Sequence, residues 1–179
     1  MNSQSVSIIV TCGEQQQQLR QLLPSLLSLR YGGDYEVIVV DKMHDKDLEE
    51  WLEDMEAQYS YLSHTFCPAS SRGLDIQRLA LTLGAKAANF EWLAILPVDV
   101  NLPSEDWLRQ LSKCCGDEVD VVIGMTSRKK RFYWFGKLFR RAFSIFNSTS
   151  SIILCRRSIL FKSDTHIDKK RLLRLPLYP

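Results

Sequence analysis

Short apolar, β-branched runs alternate along the chain with stretches whose apolar residues recur every three or four positions. Val6-Ser-Ile-Ile-Val-Thr11 predicts a strand. Over 15–30, Leu19, Leu22, Leu23, Leu26 and Leu27 form a helical stripe. Pro24 lies inside that stripe and removes one backbone hydrogen bond, but the stripe still reads as helix. Glu36-Val-Ile-Val-Val-Asp41 predicts a buried strand, and Leu48, Trp51, Leu52, Met55 and Tyr59 a second amphipathic helix. Leu62, His64 and Phe66 alternate as in a short strand. A helix is expected over 73–89 with Leu79, Leu83 and Ala87 inward, then a strand at Trp92-Leu-Ala-Ile-Leu96. Ser104 reads as a hydroxyl cap, with Glu105 and Asp106 in the first turn of the helix it opens. Val119-Asp-Val-Val-Ile123 and Ser151-Ile-Ile-Leu-Cys155 complete the strands.

Strands alternating with helices predict an α/β domain: a central, mostly parallel sheet covered on both faces, in three layers. The 179 residues suffice for one such domain, taken as 1–179. Ligands of these sheets sit outside the carboxyl ends of the strands. That rule selects Thr11 to Gln15, Asp41 to Asp45, the Ser70–Gly73 turn and Pro97 to Asn101 as the walls of a site.

Composition excludes little beyond disorder: 45% of residues are apolar, 25% are charged and the net charge is +2. The charge is uneven, however. Residues 127–147 hold seven Lys/Arg and no acid, so the remaining chain is acidic on balance, which argues against a nucleic-acid partner. Within a basic aromatic helical segment near 128–146, Phe135, Leu138, Phe139, Ala142 and Phe146 share one face. That face suits packing on a sheet, and equally a peripheral membrane contact with the cations near anionic headgroups. Five cysteines without C-x-x-C spacing predict neither disulfides nor structural zinc. No signal peptide is visible at the start, and no apolar run approaches the ~18 residues of a membrane span. The expected location is the cytoplasm, or the inner face of the membrane if the basic segment meets lipid.

Asp41 and Asp99 both follow buried strands. A carboxylate at such an end can cap the next turn, accept from a base or ribose, or bind a hard cation bridging phosphates. Lys42 is either a solvated turn lysine or an ammonium that, beside a diphosphate, replaces part of a metal's charge. His44, His64 and His166 are scattered, and no nucleophile–base constellation, P-loop or dinucleotide glycine fingerprint is present.

The order of these segments resembles the family 2 glycosyltransferases. Val6-Ser-Ile-Ile-Val, a helix ending Pro24-Ser-Leu-Leu-Ser-Leu-Arg-Tyr31 and Tyr35-Glu-Val-Ile-Val-Val-Asp41 are similar to that family's V-S-I-I-I-P-x-Y-N-E, S-L-L-x-Q-x-Y and E-I-I-V-V-D-D. Ser71-Arg-Gly73 with Leu83-Gly-Ala-Lys-Ala-Ala88, Glu91 through Leu108, and Cys155-Arg-Arg-Ser-Ile-Leu-Phe161 resemble later motifs in the same order. The resemblance implies a GT-A fold, a nucleotide-sugar donor with Mg²⁺ or Mn²⁺, and a glycan or lipid-linked acceptor. It would put Asp41 at the nucleotide base, Arg72 near the pyrophosphate and Asp99 on the metal as the last carboxylate of D-x-D. Aligning Leu172-Leu-Arg-Leu175 with a family helix would make Asp168 a catalytic carboxylate. The chain departs from the family at Gly13-Glu-Gln15 in place of Y-N-E, at Lys42 in place of an Asp, and at Pro97 in place of the first Asp of D-x-D. A descendant that binds a nucleotide-sugar or a protein partner without turnover is the alternative.

Overall fold

The computed structural model describes residues 4–68, 75–126, 151–161 and 169–177. They form one seven-stranded sheet in the order β3-β2-β1-β4-β6-β5-β7. The strands are β1 (Val6–Cys12), β2 (Tyr35–Asp41), β3 (Leu62–Phe66), β4 (Trp92–Pro97), β5 (Val121–Met125), β6 (Ser151–Arg156) and β7 (Leu172–Pro176). Only β6 runs against its neighbours, β4 and β5; the other pairings are parallel. The expected mostly parallel three-layer α/β architecture is therefore present.

Strand β1 explains the layering, because every one of its residues is buried. A strand with apolar side chains on both faces needs cover on both. On one side Ile8 and Val10 join Val37, Val39, Ala94 and Leu96. Helices α1 (Gln16–Leu27), α2 (Lys46–Gln58) and α4 (Trp107–Ser112) cover that side with Leu19, Leu23, Leu26, Leu48, Leu52, Trp107 and Leu111. On the other, Ile9 joins Ile38, Val40, Leu93 and Ile95 under α3 (Ile76–Ala87) and the short α5 (Arg157–Phe161). Helix α1 runs through Pro24 for one more turn, and the Pro24 carbonyl still accepts from Ser28 N–H at 3.1 Å. The hydroxyls of Tyr35 and Tyr61 donate to the Leu27 carbonyl at 3.2 and 2.6 Å, satisfying an acceptor that the helix end leaves open.

The opposite, amino end of the sheet is closed by polar side chains. Glu36 accepts from Ser7 Oγ at 2.6 Å and from the Asn89 backbone and side-chain nitrogens at 2.7 Å, so the buried Ser7 hydroxyl is paired. Arg157, which the sequence placed in a family-like strand end, donates to the Ala88 carbonyl at 2.7 Å, and Arg156 stacks 4.8 Å over Trp92. Both arginines thus pin the end of β4 away from the loops that follow it.

Several expectations are corrected. Helix α3 buries Ala80, Leu81, Gly84 and Ala85, while Leu79 and Leu83 are half-buried and Ala87 is exposed. The sheet is approached by the small side chains, because Gly84 lies directly on Ile9 and Val40. Helix α4 starts at Trp107, and Ser104 contributes its backbone carbonyl, at 3.4 Å from Trp107 N, instead of a hydroxyl cap. Residues 172–175, aligned above with a helix, form β7, paired in parallel with β5. The basic segment near 128–146 and Asp168 lie outside the described residues. Among the described residues, no helix is long and apolar enough to cross a membrane.

A methyl group at position 84 would lie 2.8 Å from Ile9 Cγ2 and 3.2 Å from Val40 Cγ2, both on stiff β-branched side chains. Alanine is the better helix former by ~1 kcal/mol, so an unobstructed Gly84→Ala change would stabilise. Here overpacking should win, and Gly84→Ala should lower stability by about 1–3 kcal/mol in urea unfolding.

Candidate functional site

The four parallel strands β3, β2, β1 and β4 end level with one another. Cys12 stands opposite Asp41, Asp41 opposite Phe66, and Thr11 opposite Pro97. The loops that leave these ends therefore meet along one edge, as the sequence predicted for three of the four walls; the fourth, Ser70–Gly73 with Arg72, lies outside the described residues.

Strand alternation sorts the side chains at this edge into two groups. Asp41 follows Val37 and Val39 on the α1/α2 side, whereas Lys42, the next residue, follows Ile38 and Val40 on the α3 side. Thr11 and Pro97 continue the α3-side series of Ile9 and of Leu93 and Ile95. Thus Asp41 and Lys42, adjacent in sequence, serve different neighbours.

Asp41 is 4% exposed. Its Oδ1 accepts from Met43 N–H at 2.8 Å and its Oδ2 from Asp45 N–H at 2.7 Å. The carboxylate therefore folds the 42–45 loop back on the strand that carries it. Within that loop His44 adopts φ 53°, a left-handed conformation that histidine tolerates better than branched residues do. Its ring stacks on Phe66, with centroids 3.7 Å apart and planes 1° from parallel. Asp45 then caps α2 by accepting from Leu48 N–H at 3.0 Å, and that bond, with a further one from the Gln16 side chain, holds its carboxyl below the usual carboxylate range. One short segment thus ends a strand, turns and starts a helix, with carboxylates satisfying the backbone at both corners.

On the α3 side, Lys42 Nζ donates to Gln77 Oε1 at 3.2 Å, and Gln77 Nε2 donates to Thr11 Oγ1 at 3.2 Å. The ammonium only donates, so the Gln77 amide must turn its oxygen to Lys42 and its nitrogen to Thr11. The Lys42 stem crosses over Gly13, where a Cβ would lie 3.3 Å from Lys42 Cε. Lys42 is half-buried and anchored, not a freely solvated turn lysine. Gln77 was missed in the sequence because a glutamine in a helix's first turn normally reads as solvent-facing. Its only signal was position, in the first turn of a helix that begins at the strand-end edge.

Asp99 sits at the exposed corner of a tight turn closed by the Val100 N–H to Pro97 carbonyl bond, 3.1 Å. Val98 and Val100 on either side are buried in the core, which directs the carboxylate between them outward. Pro97, the last residue of β4, is the direct neighbour of Thr11. Cys12 underlies the same edge; burial first, and Asp41 second, push its thiol up to about 11, so it is a neutral wall and not a nucleophile. Burial likewise raises the Cys67 thiol. Among the described residues no group of three or more His, Cys, Asp or Glu side chains could hold a metal ion.

Comparison with known proteins gives a consistent picture. The sequence model of glycosyl transferase family 2 matches residues 7–176. No curated protein matches the chain. Among solved structures, the mannosyltransferase PcManGT from Pyrobaculum calidifontis, in complex with GDP-Man and Mn²⁺, superposes with a TM-score of 0.67 at 19% identity, over 96% of this chain and 54% of that one. Glucosyl-3-phosphoglycerate synthase from Mycobacterium tuberculosis, with Mn²⁺, UDP and glucosyl-3-phosphoglycerate, gives 0.62 at 13% identity, over 98% and 70%. S. aureus TarS 1–349 in complex with UDP-GlcNAc gives 0.57 at 18% identity, over 87% and 46%. The chain thus spans about half the length of the mannosyltransferase and of TarS 1–349.

The Asp41 geometry makes a stability prediction. Asp41→Ala removes two hydrogen bonds from loop N–H groups to a charged acceptor and should cost about 2–4 kcal/mol, since a hydrogen bond to a charged group contributes ~1.5–3 kcal/mol. Asp41→Asn keeps one acceptor oxygen and should cost about half as much. Urea unfolding of the two variants beside wild type measures both.

Proposed function

The chain belongs to glycosyl transferase family 2, with its GT-A fold, and on that premise we propose that it takes a nucleotide-sugar donor at the level ends of β1, β2 and β4 and transfers the sugar to a glycan or lipid-linked acceptor. The observation that supports this reading is the register, which brings the ends of β1, β2 and β4, with Thr11, Asp41 and Pro97, level at one edge under the family's motif order. In this assignment the Asp41 end of the edge receives the nucleotide base, and Arg72 lies toward the pyrophosphate. Asp168 is the proposed base that takes the acceptor's proton as its hydroxyl attacks the anomeric carbon.

The neighbours named above carry Mn²⁺ beside GDP-Man or UDP. A divalent ion of this size wants several oxygen ligands in a fixed arrangement. The described residues do not fit it: Asp99 supplies one exposed carboxylate, and Pro97, two positions earlier, supplies none. Any Mg²⁺ or Mn²⁺ at Asp99 would be weakly held. The same departure favours the second reading, a module that binds a nucleotide-sugar or a protein partner without turnover. As the bond to the diphosphate breaks, negative charge grows on the leaving group, and a site without a fixed counter-charge loses rate more than it loses binding.

Calorimetric titration with UDP and GDP, and a nucleotide-release assay with their sugar conjugates, test the reading. At least one nucleotide should bind in the micromolar range. Pro97→Asp should restore the second carboxylate beside Thr11 and tighten nucleotide binding about tenfold in Mn²⁺ but not in chelator, and Asp99→Ala in that background should remove the gain. If neither UDP nor GDP binds to wild type or to Pro97→Asp, the donor assignment is wrong.

A further inference from the structure

The charge pattern of the α3 side differs from that of a metal-dependent donor site. We propose that Lys42, held over Gly13 by Gln77, is the cation that receives the diphosphate of the ligand, and that diphosphate binding here needs no divalent metal. The proposal rests on the nucleotide-sugar reading only for the identity of what the diphosphate is attached to.

Three observations carry it. First, the ammonium is anchored without being neutralised. Its partner is the amide oxygen of Gln77 at 3.2 Å, and among the described residues it makes no ion pair. A glutamate at position 77 would hold the same geometry and cancel the charge; the glutamine keeps the charge available. Lysine carries three donors, so two remain after the bond to Gln77. Second, none of the strand-end and helix-start carboxylates Asp41, Asp75 and Asp99 pairs with it. Asp41 is spent on the amides of Met43 and Asp45, on the other side of the strand. Asp75 takes the Arg78 N–H at the start of α3, and Asp99 projects from the exposed corner beyond Pro97. Third, Gln77 continues to Thr11, and Thr11 is paired with Pro97, the position where a metal-binding carboxylate would stand. Against the family pattern the edge therefore lacks two carboxylates, at positions 42 and 97, and has gained one cation, all on the α3 side. An anion there meets a cation without an intervening ion.

The experiment titrates wild-type protein with inorganic pyrophosphate, UDP and GDP, in EDTA and in Mn²⁺. Thermal unfolding monitors the fold of each variant. In EDTA, pyrophosphate and a nucleoside diphosphate should bind wild type, and Mn²⁺ should change the affinity less than about threefold. Lys42→Met should weaken both ligands at least tenfold, as expected for loss of a charge-assisted hydrogen bond. Lys42→Arg should retain most of the affinity, and Gln77→Leu, which leaves the charge but removes its anchor, should weaken binding severalfold. Binding that requires Mn²⁺, or nucleotide binding unchanged in Lys42→Met, would overturn the proposal while leaving the donor reading in place. Lys42-dependent binding of pyrophosphate with no preference for UDP or GDP would support the cation site and overturn the nucleotide-sugar reading instead.

Discussion

Everything at the candidate site depends on the parallel pairing of β1 with β2 on one side and β4 on the other. Because the three strands run the same way and in register, their ends fall at one level, and residues far apart in sequence become neighbours. That pairing is stable only because both faces of β1 are covered. The α3 face is the tighter of the two: Gly84 packs on Ile9 and Val40 with no room for a methyl group. Close approach of α3 also brings Gln77, at its amino end, within reach of both Thr11 and Lys42. Core packing and site geometry are therefore one constraint. A helix set farther from the sheet by larger side chains would leave Lys42 without its acceptor.

Much of the fold was legible in the pattern of apolar residues. Buried parallel strands are near-continuous β-branched runs, and Val37 to Val40 and Ile8 to Val10 leave little alternative. The misreadings share a cause. In α3 the large residues Leu79 and Leu83 looked inward, yet the buried stripe is Ala80, Leu81, Gly84 and Ala85, with only one large side chain. Hydrophobicity alone cannot distinguish a stripe that fills space from one that permits approach. Leu172-Leu-Arg-Leu175 has no amphipathic signature of its own, and its strand conformation comes from pairing with β5, a long-range contact. At Ser104 the cap chemistry was plausible locally, but the helix starts three residues later, where the fully buried Trp107 anchors it.

The site was legible as a set of positions and less so as a set of roles. Asp41, Lys42 and Asp99 were visible as strand-end residues because strand ends are legible. Which face each side chain serves was not, since one residue's shift reverses it. The structure separates Asp41 from Lys42 by that alternation. It turns an aspartate with open roles into the corner of a loop, and an ambiguous lysine into an anchored cation. Gln77 carries no chemistry of its own in sequence and acquires a role only from its two neighbours.

A site that replaces a coordinated ion by an ammonium changes binding and turnover unequally. A divalent ion held between two carboxylates presents its charge in a rigid cage, whereas Lys42 presents one unit charge on a stem fixed by a single hydrogen bond. Ground-state binding of a diphosphate needs attraction, which one oriented ammonium with two free donors would supply. The transition state of sugar transfer needs more, because extra negative charge appears on the leaving phosphate as the glycosidic bond opens, and only pre-fixed counter-charge stabilises it without reorganisation. Removing the carboxylate at Pro97 while adding the cation at Lys42 therefore keeps the first requirement better than the second. On the proposed function, affinity for nucleotide diphosphate and rate of transfer should part company in this chain, and their ratio is the quantity that separates a slow transferase from a binding module.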